Sequence, residues 1–336
     1  MVGTTTAKPA RARCRPRKEE PLAAKRNVIV VGVDGSPAGN IALMWAAGEA
    51  TRRKADLHLV QAYDVSIGRE GASGMIPSTL FDDARQWAET SLREARESVL
   101  ELHRDLPVTE DAVLESPFVA LRDASQGAVL TVVGSHGSGQ ISDALLGSIA
   151  VKVASSLRTP VVVVHTDPLA RPGEWSATED GPVLVGLDGS AESNAALAFA
   201  LEETSIRGAA LWAVHSWDDE PLGGLLRLFP LEVDIADIEV AHTRLLAEQL
   251  EGWTEQYPDV SIQQRVLRGR PSHALLRSCV DLHPSLLVVG SRGRGGFTGL
   301  LLGSTSNELI AYASCPVAVV RAPDERSPPG GPQPTD

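Results

Sequence analysis

The sequence predicts an α/β fold, a largely parallel sheet with helices on both faces, built twice in one chain. Three observations carry this. Short Val, Leu and Ile runs alternate with longer segments of helical spacing. The stretch Val183-Leu-Val-Gly-Leu-Asp-Gly-Ser190 echoes Val30-Val-Gly-Val-Asp-Gly-Ser36. A glycine pattern, Gly134, two residues, Gly137, nine residues, Gly147-Ser148, recurs as Gly290, Gly293 and Gly303-Ser304 at identical spacing. Asp34 and Asp188 are 154 residues apart, and Gly134 and Gly290 are 156 apart, so the copies keep close register.

Val28–Val33 is β-branched at every position but Gly32 and predicts a central buried strand ending in the Asp34-Gly35-Ser36 turn. Asn40–Lys54 has helical spacing, and Asp56–Tyr63 is a second strand. Residues 66–77 are rich in glycine and predict a loop. Asp82–Arg104 predicts a long helix with charge pairs on its wet side. Val108–Leu114 is a third strand, and Ser116-Pro117 supplies a cap and first-turn proline for a helix over Phe118–Ser125. Ala128–Val133 is a fourth strand, followed by the glycine loop, a helix over Ile149–Leu157 and a fifth strand, Val161–His165. Residues 167–181 predict a linker. In the second copy Ala210–Trp217, Val260–Leu267, Leu286–Val289 and Val317–Arg321 match these strands, and Val240–Glu255 matches the long helix. The expected organisation is a basic tail (1–26), one domain (27–166), the linker, a second domain (182–322) and a short tail (323–336).

Composition narrows the function. At 336 residues and 43% hydrophobic, the chain is long enough for two cores. A net charge of −12 argues against a general nucleic-acid binder. The first 26 residues hold eight Lys/Arg against Glu19 and Glu20, so the acidic excess lies in the predicted domains. That stretch is either a basic arm for an acidic partner or a solvated extension. No apolar run approaches the ~20 residues of a membrane span, and no secretory leader is legible, so a cytoplasmic protein is expected. Cys14, Cys279 and Cys315 are too scattered for a disulfide framework. Cys279 and Cys315 read as buried small hydrophobes. The eight histidines show no metal-ligand spacing, and His58 and His215, in second strands, read as core or pocket-wall residues.

A strand, a glycine-rich loop and a helix start together make a phosphate cradle, because glycines admit close backbone approach and free N–H groups face an anion. One such loop could be a tight turn; two at equivalent places, each with an Asp-Gly-Ser turn upstream, point to nucleotide binding. The P-loop lysine motif and the Gly-x-Ser-x-Gly elbow are both missing, so the sequence offers little for catalysis.

On these residues the chain resembles the universal stress protein family, in a tandem form of its ATP-binding subclass. The resemblance covers about residues 28–164 and 183–321. It implies two tandem Rossmann-like (adenine nucleotide alpha-hydrolase-like) domains, each a five-stranded parallel sheet. It also implies an ATP site in each. Asp34 and Asp188 would meet the adenine or ribose end, though Asp-Gly is also ordinary turn chemistry. Backbone near Gly32 and Ala62, and near Gly186 and Ser216, would line the adenine slot. Gly134, Gly137, Gly147 and Ser148, with Ser135, His136 and Ile149 beside them, would hold the phosphates in the first copy. Gly290, Gly293, Gly303 and Ser304, with Ser291, Arg292 and Thr305, would do so in the second. ATP would carry Mg²⁺ with few protein ligands.

The copies differ. Glu115 stands where the family has a glycine, which Gly269 supplies in the second copy, and Arg292 and Arg294 replace His136 and Ser138. Guanidinium groups favour phosphate, so tighter binding is expected in the second copy, unless both arginines are solvated loop charges. The resemblance further implies pairing of the two copies through their last strands and dimerisation of whole chains, with an unidentified regulatory protein as partner. The expected function is an ATP-binding stress-response or regulatory protein, with ATP as a ligand that biases conformation or partner choice. A slow ATP hydrolase or nucleotidyl-transfer enzyme on this fold, and an ATP-independent scaffold, are the alternatives.

Overall fold

A computed structural model describes residues 27–63, 78–137, 146–165, 180–218, 235–293 and 302–323. Residues 1–26 and 66–77, Ser138, Arg294 and nearly all of the expected linker and C-terminal tail lie outside them. The first copy runs β1 (Val28–Gly32), α1 (Pro37–Arg53), β2 (Asp56–Ala62), α2 (Ser78–Leu102), β3 (Val108–Val113), α3 (Pro117–Ala124), β4 (Leu130–Gly134), α4 (Ser148–Ser156) and β5 (Val161–Val164). The second runs β6 (Val183–Leu187), α5 (Ala191–Arg207), β7 (Ala210–Trp217), α6 (Ile235–Leu250), α7 (Trp253–Gln256), β8 (Ser261–Arg268), α8 (Pro271–Leu282), β9 (Leu286–Gly290), α9 (Ser304–Tyr312) and β10 (Val317–Val320).

Two expectations change in detail. The long helix of the second copy is two pieces, because Gly252 at φ +80° cannot continue a right-handed helix. Ser116 takes the N-cap position of α3 but makes no side-chain cap bond. Ser36 and Ser190 do cap, each accepting from the N–H three residues on.

The two sheets are one. Strand order is β3-β2-β1-β4-β5-β10-β9-β6-β7-β8, and every pairing is parallel except β5 with β10. Within each half the order reverses beside the first strand, between β1 and β4 or β6 and β9, which opens a crevice at the strands' carboxyl ends. Helices α1, α2, α5 and α6 cover one face; α3, α4, α8 and α9 cover the other. Alternation along the strands feeds both cores: Ile29 and Val31 belong to the first, Val30 to the second.

The joint is self-complementary. Val162 pairs with Ala318, its own equivalent, and Val161–Val319 and Val163–Val317 flank it. A local two-fold therefore passes through that pair. All four valines of β5 are buried, each contributing roughly 1.5–3 kcal/mol. At the ends of these strands, His165 Nε2 donates to Ile310 O at 2.8 Å, and Arg321 donates to Ser155 O in return. Below the joint, Glu49 and Arg53 of α1 meet Glu203 and Arg207 of α5. Arg53 Nε lies 2.8 Å from Glu49, and Arg207 Nη2 lies 2.7 Å from Glu49 and 2.9 Å from Glu203; Arg53 Nη2 also pairs with Glu203. Arg53 sits over Phe199 and Arg207 over Trp45, again as equivalents. Both carboxylates have 0% side-chain exposure, so the cluster is a desolvated ion network.

The two acids titrate apart despite their symmetry. Burial works against both. At Glu49 the guanidinium groups of Arg207, Arg53 and Arg52 win and hold its carboxyl below the usual range. At Glu203, burial and then the charge of Glu49 push the carboxyl up to about 7 against two arginines. A folded-state value raised above the ordinary 4.5 gives stability that is full below about 4.5 and lost as pH rises through about 7. Glu203→Gln, which imitates the protonated form, should match the wild type in thermal unfolding at pH 5 and exceed it at pH 8. A wild-type advantage that widens with rising pH would contradict this.

Candidate functional site

The crevice at each reversal point is a cavity, about 530 Å³ in the first domain and 470 Å³ in the second. Both lie within the span typical of small-molecule sites, roughly 300–1,000 Å³. The first domain's walls are apolar on one side, where Val60, Ala62, Pro117, Leu121 and Val133 meet, and glycine and hydroxyl on the other. Val214, Ser216, Pro271, Leu275 and Val289 make the corresponding wall in the second domain.

Each wall is shaped by a close approach. On β1, a Cβ added to Gly32 would stand 3.3 Å from Leu121; on β6, one added to Gly186 would stand 2.9 Å from Leu275. On β4, a Cβ on Gly134 would lie 2.8 Å from the backbone carbon of Ala38 in α1, so the loop crosses the helix at backbone contact. Gly147 N donates to Ser135 O at 2.7 Å, and Gly303 N to Ser291 O at 2.8 Å, which folds the far end of each glycine loop back onto its beginning. Gly147 and Gly303 are then the N-caps of α4 and α9, with no side chain bonded to the helix N–H groups. Ser148, Ile149 and Ala150, and Ser304, Thr305 and Ser306, line the cavities, so the first-turn N–H groups, which have no intrahelical partner, belong to lining residues.

Asp34 joins the two motifs. Its Oδ1 accepts from Ser36 N at 3.0 Å and from Ser36 Oγ at 2.6 Å, which is turn chemistry. Its Oδ2 lies 2.9 Å from where a Cβ on Gly137 would stand, and the residue lines the cavity. Asp188 Oδ1 likewise accepts from Ser190 N at 3.0 Å, and its Oδ2 lies 2.5 Å from where a Cβ on Gly293 would stand, in the second cavity's lining. Turn-capping and cavity-lining are thus both true of one side chain, each through a different oxygen.

Of the residues expected to hold the nucleotide, from Gly32 to Ile149 and from Gly186 to Thr305, all but Ser135 and Ser291 line a cavity. Those two turn into the protein: Ser135 Oγ bonds His136 Nδ1 at 2.9 Å, and Ser291 is 0% exposed. Glu115 is exposed and does not line the cavity, so it is no repulsive neighbour of the first site. Arg292 lines the second cavity, but its Nη2 is 3.0 Å from Glu192 Oε1. A guanidinium already met by a carboxylate does not add net charge, so the ground for expecting tighter binding in the second copy falls away. Arg294 lies outside the described residues.

His58 and His215 do not line the cavities. His215 Nδ1–H donates to Leu187 O at 2.7 Å, leaving Nε2 to accept from His242 Nδ1–H at 2.8 Å. The equivalent in the first domain is Gln61, 1% exposed, whose amide atoms have no partner among the described residues. The sequence reading also missed Trp87 and the Pro117/Leu121 and Pro271/Leu275 wall. The wall pairs share the 154-residue offset of Asp34 and Asp188, so aligning the two copies would have found them. Cys279 and Cys315 are buried, with Sγ atoms 3.8 Å apart, and the hydrogen bond to Cys279, then burial, raises the Cys315 thiol well above its ordinary value. Among the described residues, no cluster of three or more His, Cys, Asp or Glu could hold a metal, and no helix is long and apolar enough to cross a membrane.

Known proteins match this arrangement. The model of the universal stress protein family matches residues 25–165 and again 181–321. A universal stress protein of Mycobacterium tuberculosis is 36% identical over 301 residues, covering 88% of this chain and 98% of that protein. One from Mycolicibacterium smegmatis is 37% identical over 298 residues, covering 87% and 96%. Among solved structures, a universal stress protein from Archaeoglobus fulgidus superposes with a TM-score of 0.62 at 20% identity, covering 88% of this chain and 99% of that one, a likeness of fold.

Gly134→Ala should cost roughly 1–3 kcal/mol in urea denaturation, because its methyl must displace backbone of α1. Gly48→Ala, whose methyl meets only Arg52 Nη1 at 3.6 Å, is the control and should match or exceed the wild type. Equal stability of the two variants would show that the loop does not depend on this contact.

Proposed function

Because the chain belongs to the universal stress protein family, with both of its domains matched, we propose that each cavity binds ATP and that the protein acts as a nucleotide-controlled regulatory or stress-response protein. One observation carries this reading: the glycine loop, the Asp-Gly-Ser turn and a bare helix N-terminus, distant in sequence, converge on one cavity, and they do so twice.

The cavity suits the ligand at both ends. The wall of Val60, Ala62, Leu121 and Val133 is apolar enough to suit a purine, and in this reading the backbone of Ala62 would meet its edge. Asp34 and Asp188 are acceptors for ribose hydroxyls. At the other end the N–H groups of α4 and α9, with Ser148 and Ser304, are donors for phosphate oxygens. Mg²⁺, if it accompanies the triphosphate, would be held by phosphate and water, since no acidic cluster is present among the described residues.

Ligand binding rather than turnover is favoured by what stands beside the phosphate end. It is glycine, serine and, in the first domain, His136 bonded to Ser135. The described lining residues include no lysine, and their carboxylates, Asp34 and Asp188, are the groups this reading assigns to ribose. The role then follows from linkage: a nucleotide that favours one arrangement of α1, α4 or the loop shifts its population and any partner surface with it. The cytoplasm, where ATP is abundant, is the compartment this reading requires.

Freshly purified protein should release adenine nucleotide on denaturation, and calorimetry on the stripped chain should show two sites for ATP. Gly137→Ala and Gly293→Ala should each remove one, since either methyl collides with an aspartate oxygen. Failure of the stripped chain to bind ATP would leave the scaffold reading. Release of ADP, or of AMP and pyrophosphate, faster than by the double glycine variant would favour the enzyme.

A further inference from the structure

The two cavities differ at one place that bears on phosphate. In the second domain Arg292 lines the cavity and Glu192 does not, yet the two are 3.0 Å apart. The guanidinium therefore stands between a carboxylate and the space a phosphate would enter. Glu192 is put there by the fold. A Cβ on Gly290 would lie 2.9 Å from Glu192 Cβ, so the crossing of loop on helix that demands glycine also fixes this side chain. Glu192 is in the first turn of α5, and its side chain is 18% exposed. Arg292 Nε is buried without a hydrogen-bond partner among the described residues, so the ion pair leaves part of the guanidinium unsatisfied by them. At the equivalent positions the first domain has Ala38 and His136, with His136 bonded to Ser135.

Resting on the reading that the second cavity takes a nucleotide, we propose that Glu192 is an internal anion competing with the ligand's phosphates for Arg292. The carboxylate holds the guanidinium while the cavity is empty. A bound phosphate chain must draw Arg292 from it or share it, and a carboxylate beside the chain opposes the added negative charge. The penalty grows with the charge brought in, so Glu192 lowers the second site's affinity for a triphosphate more than for a monophosphate. Among the described residues the first site has no such ion pair, so its preference among ATP, ADP and AMP lacks this contribution. Glu192 is thus a specificity-determining residue of one domain, acting through Arg292.

Two-site calorimetry on the full chain tests this, with Gly137→Ala marking the first site. Glu192→Gln should raise ATP affinity at the second site about fivefold, the scale of a partly exposed ion pair, while changing AMP affinity little and the first site not at all. In an Arg292→Gln background only the direct repulsion remains, so the same substitution should gain clearly less, and an undiminished gain there overturns the role of Arg292; thermal unfolding of each variant checks that the domain is intact. Unchanged or weaker ATP binding by Glu192→Gln overturns the inference; weaker binding would mean that the carboxylate positions Arg292 for phosphate. An equal gain for ATP and AMP overturns it too. If the wild-type chain binds no nucleotide at all, the functional reading itself fails, and the inference with it.

Discussion

Val162 and Ala318 face each other across an antiparallel strand pair, and that pairing sets the geometry of the whole molecule. It converts two five-stranded sheets into one of ten. It hides two edges that would otherwise present open rows of N–H and C=O groups. Because equivalent residues oppose each other, it also brings α1 beside α5 in matching registers. The Glu49, Arg53, Glu203 and Arg207 cluster is a consequence of that placement rather than its cause.

The cluster is better understood as a constraint than as a source of stability. Four charges removed from water repay little beyond their desolvation, and replacing them together with apolar groups of like volume would often be neutral. Losing Glu49 or either arginine alone would leave a buried charge unmatched, which is expensive, whereas Glu203, whose carboxyl already titrates at about 7, is the member the network can hold neutral. The network thus penalises every docking angle but one. Phe199 and Trp45 reinforce the choice, since each arginine is pinned between a carboxylate and the face of a ring from the opposite helix. Helix α1 reaches from Gly39 at the first cavity to Arg53 at the joint, and α5 from Ser193 to Arg207, so the same two helices touch both cavities and the seam between them.

Much of this was legible in the sequence because it is periodic or repeated. The strand at Ala210–Trp217 is found where its match to the second strand of the first copy places it, and the paired Asp-Gly-Ser turns and glycine loops mark both cavities. Other features depend on contacts that spacing cannot encode. Nothing local says that Arg292 faces Glu192, a hundred positions earlier, instead of solvent or phosphate. Val240–Glu255 reads as one helix because its apolar spacing continues, and Gly252 looks like a tolerable interior glycine until its positive φ is seen. Nor could the strand pattern foretell that Ser135 and Ser291 turn inward, since a residue just past a strand end has no alternation to follow. The burial of Glu49 and Glu203 has the same character: each lies on an arginine- and glutamate-bearing turn that resembles an ordinary wet helix face.

Covalent duplication has a consequence for how such a two-fold molecule varies. In an assembly of two identical chains, any substitution at a cavity or seam is made twice, and both sites must accept it. Here each half is written separately. Trp45 is matched by Phe199, Gln61 by His215, and Ala38 by Glu192, while the strand pairing that holds the halves together stays symmetric. The tandem arrangement therefore keeps the architecture of a dimer while releasing its two sites from having to be copies of one another.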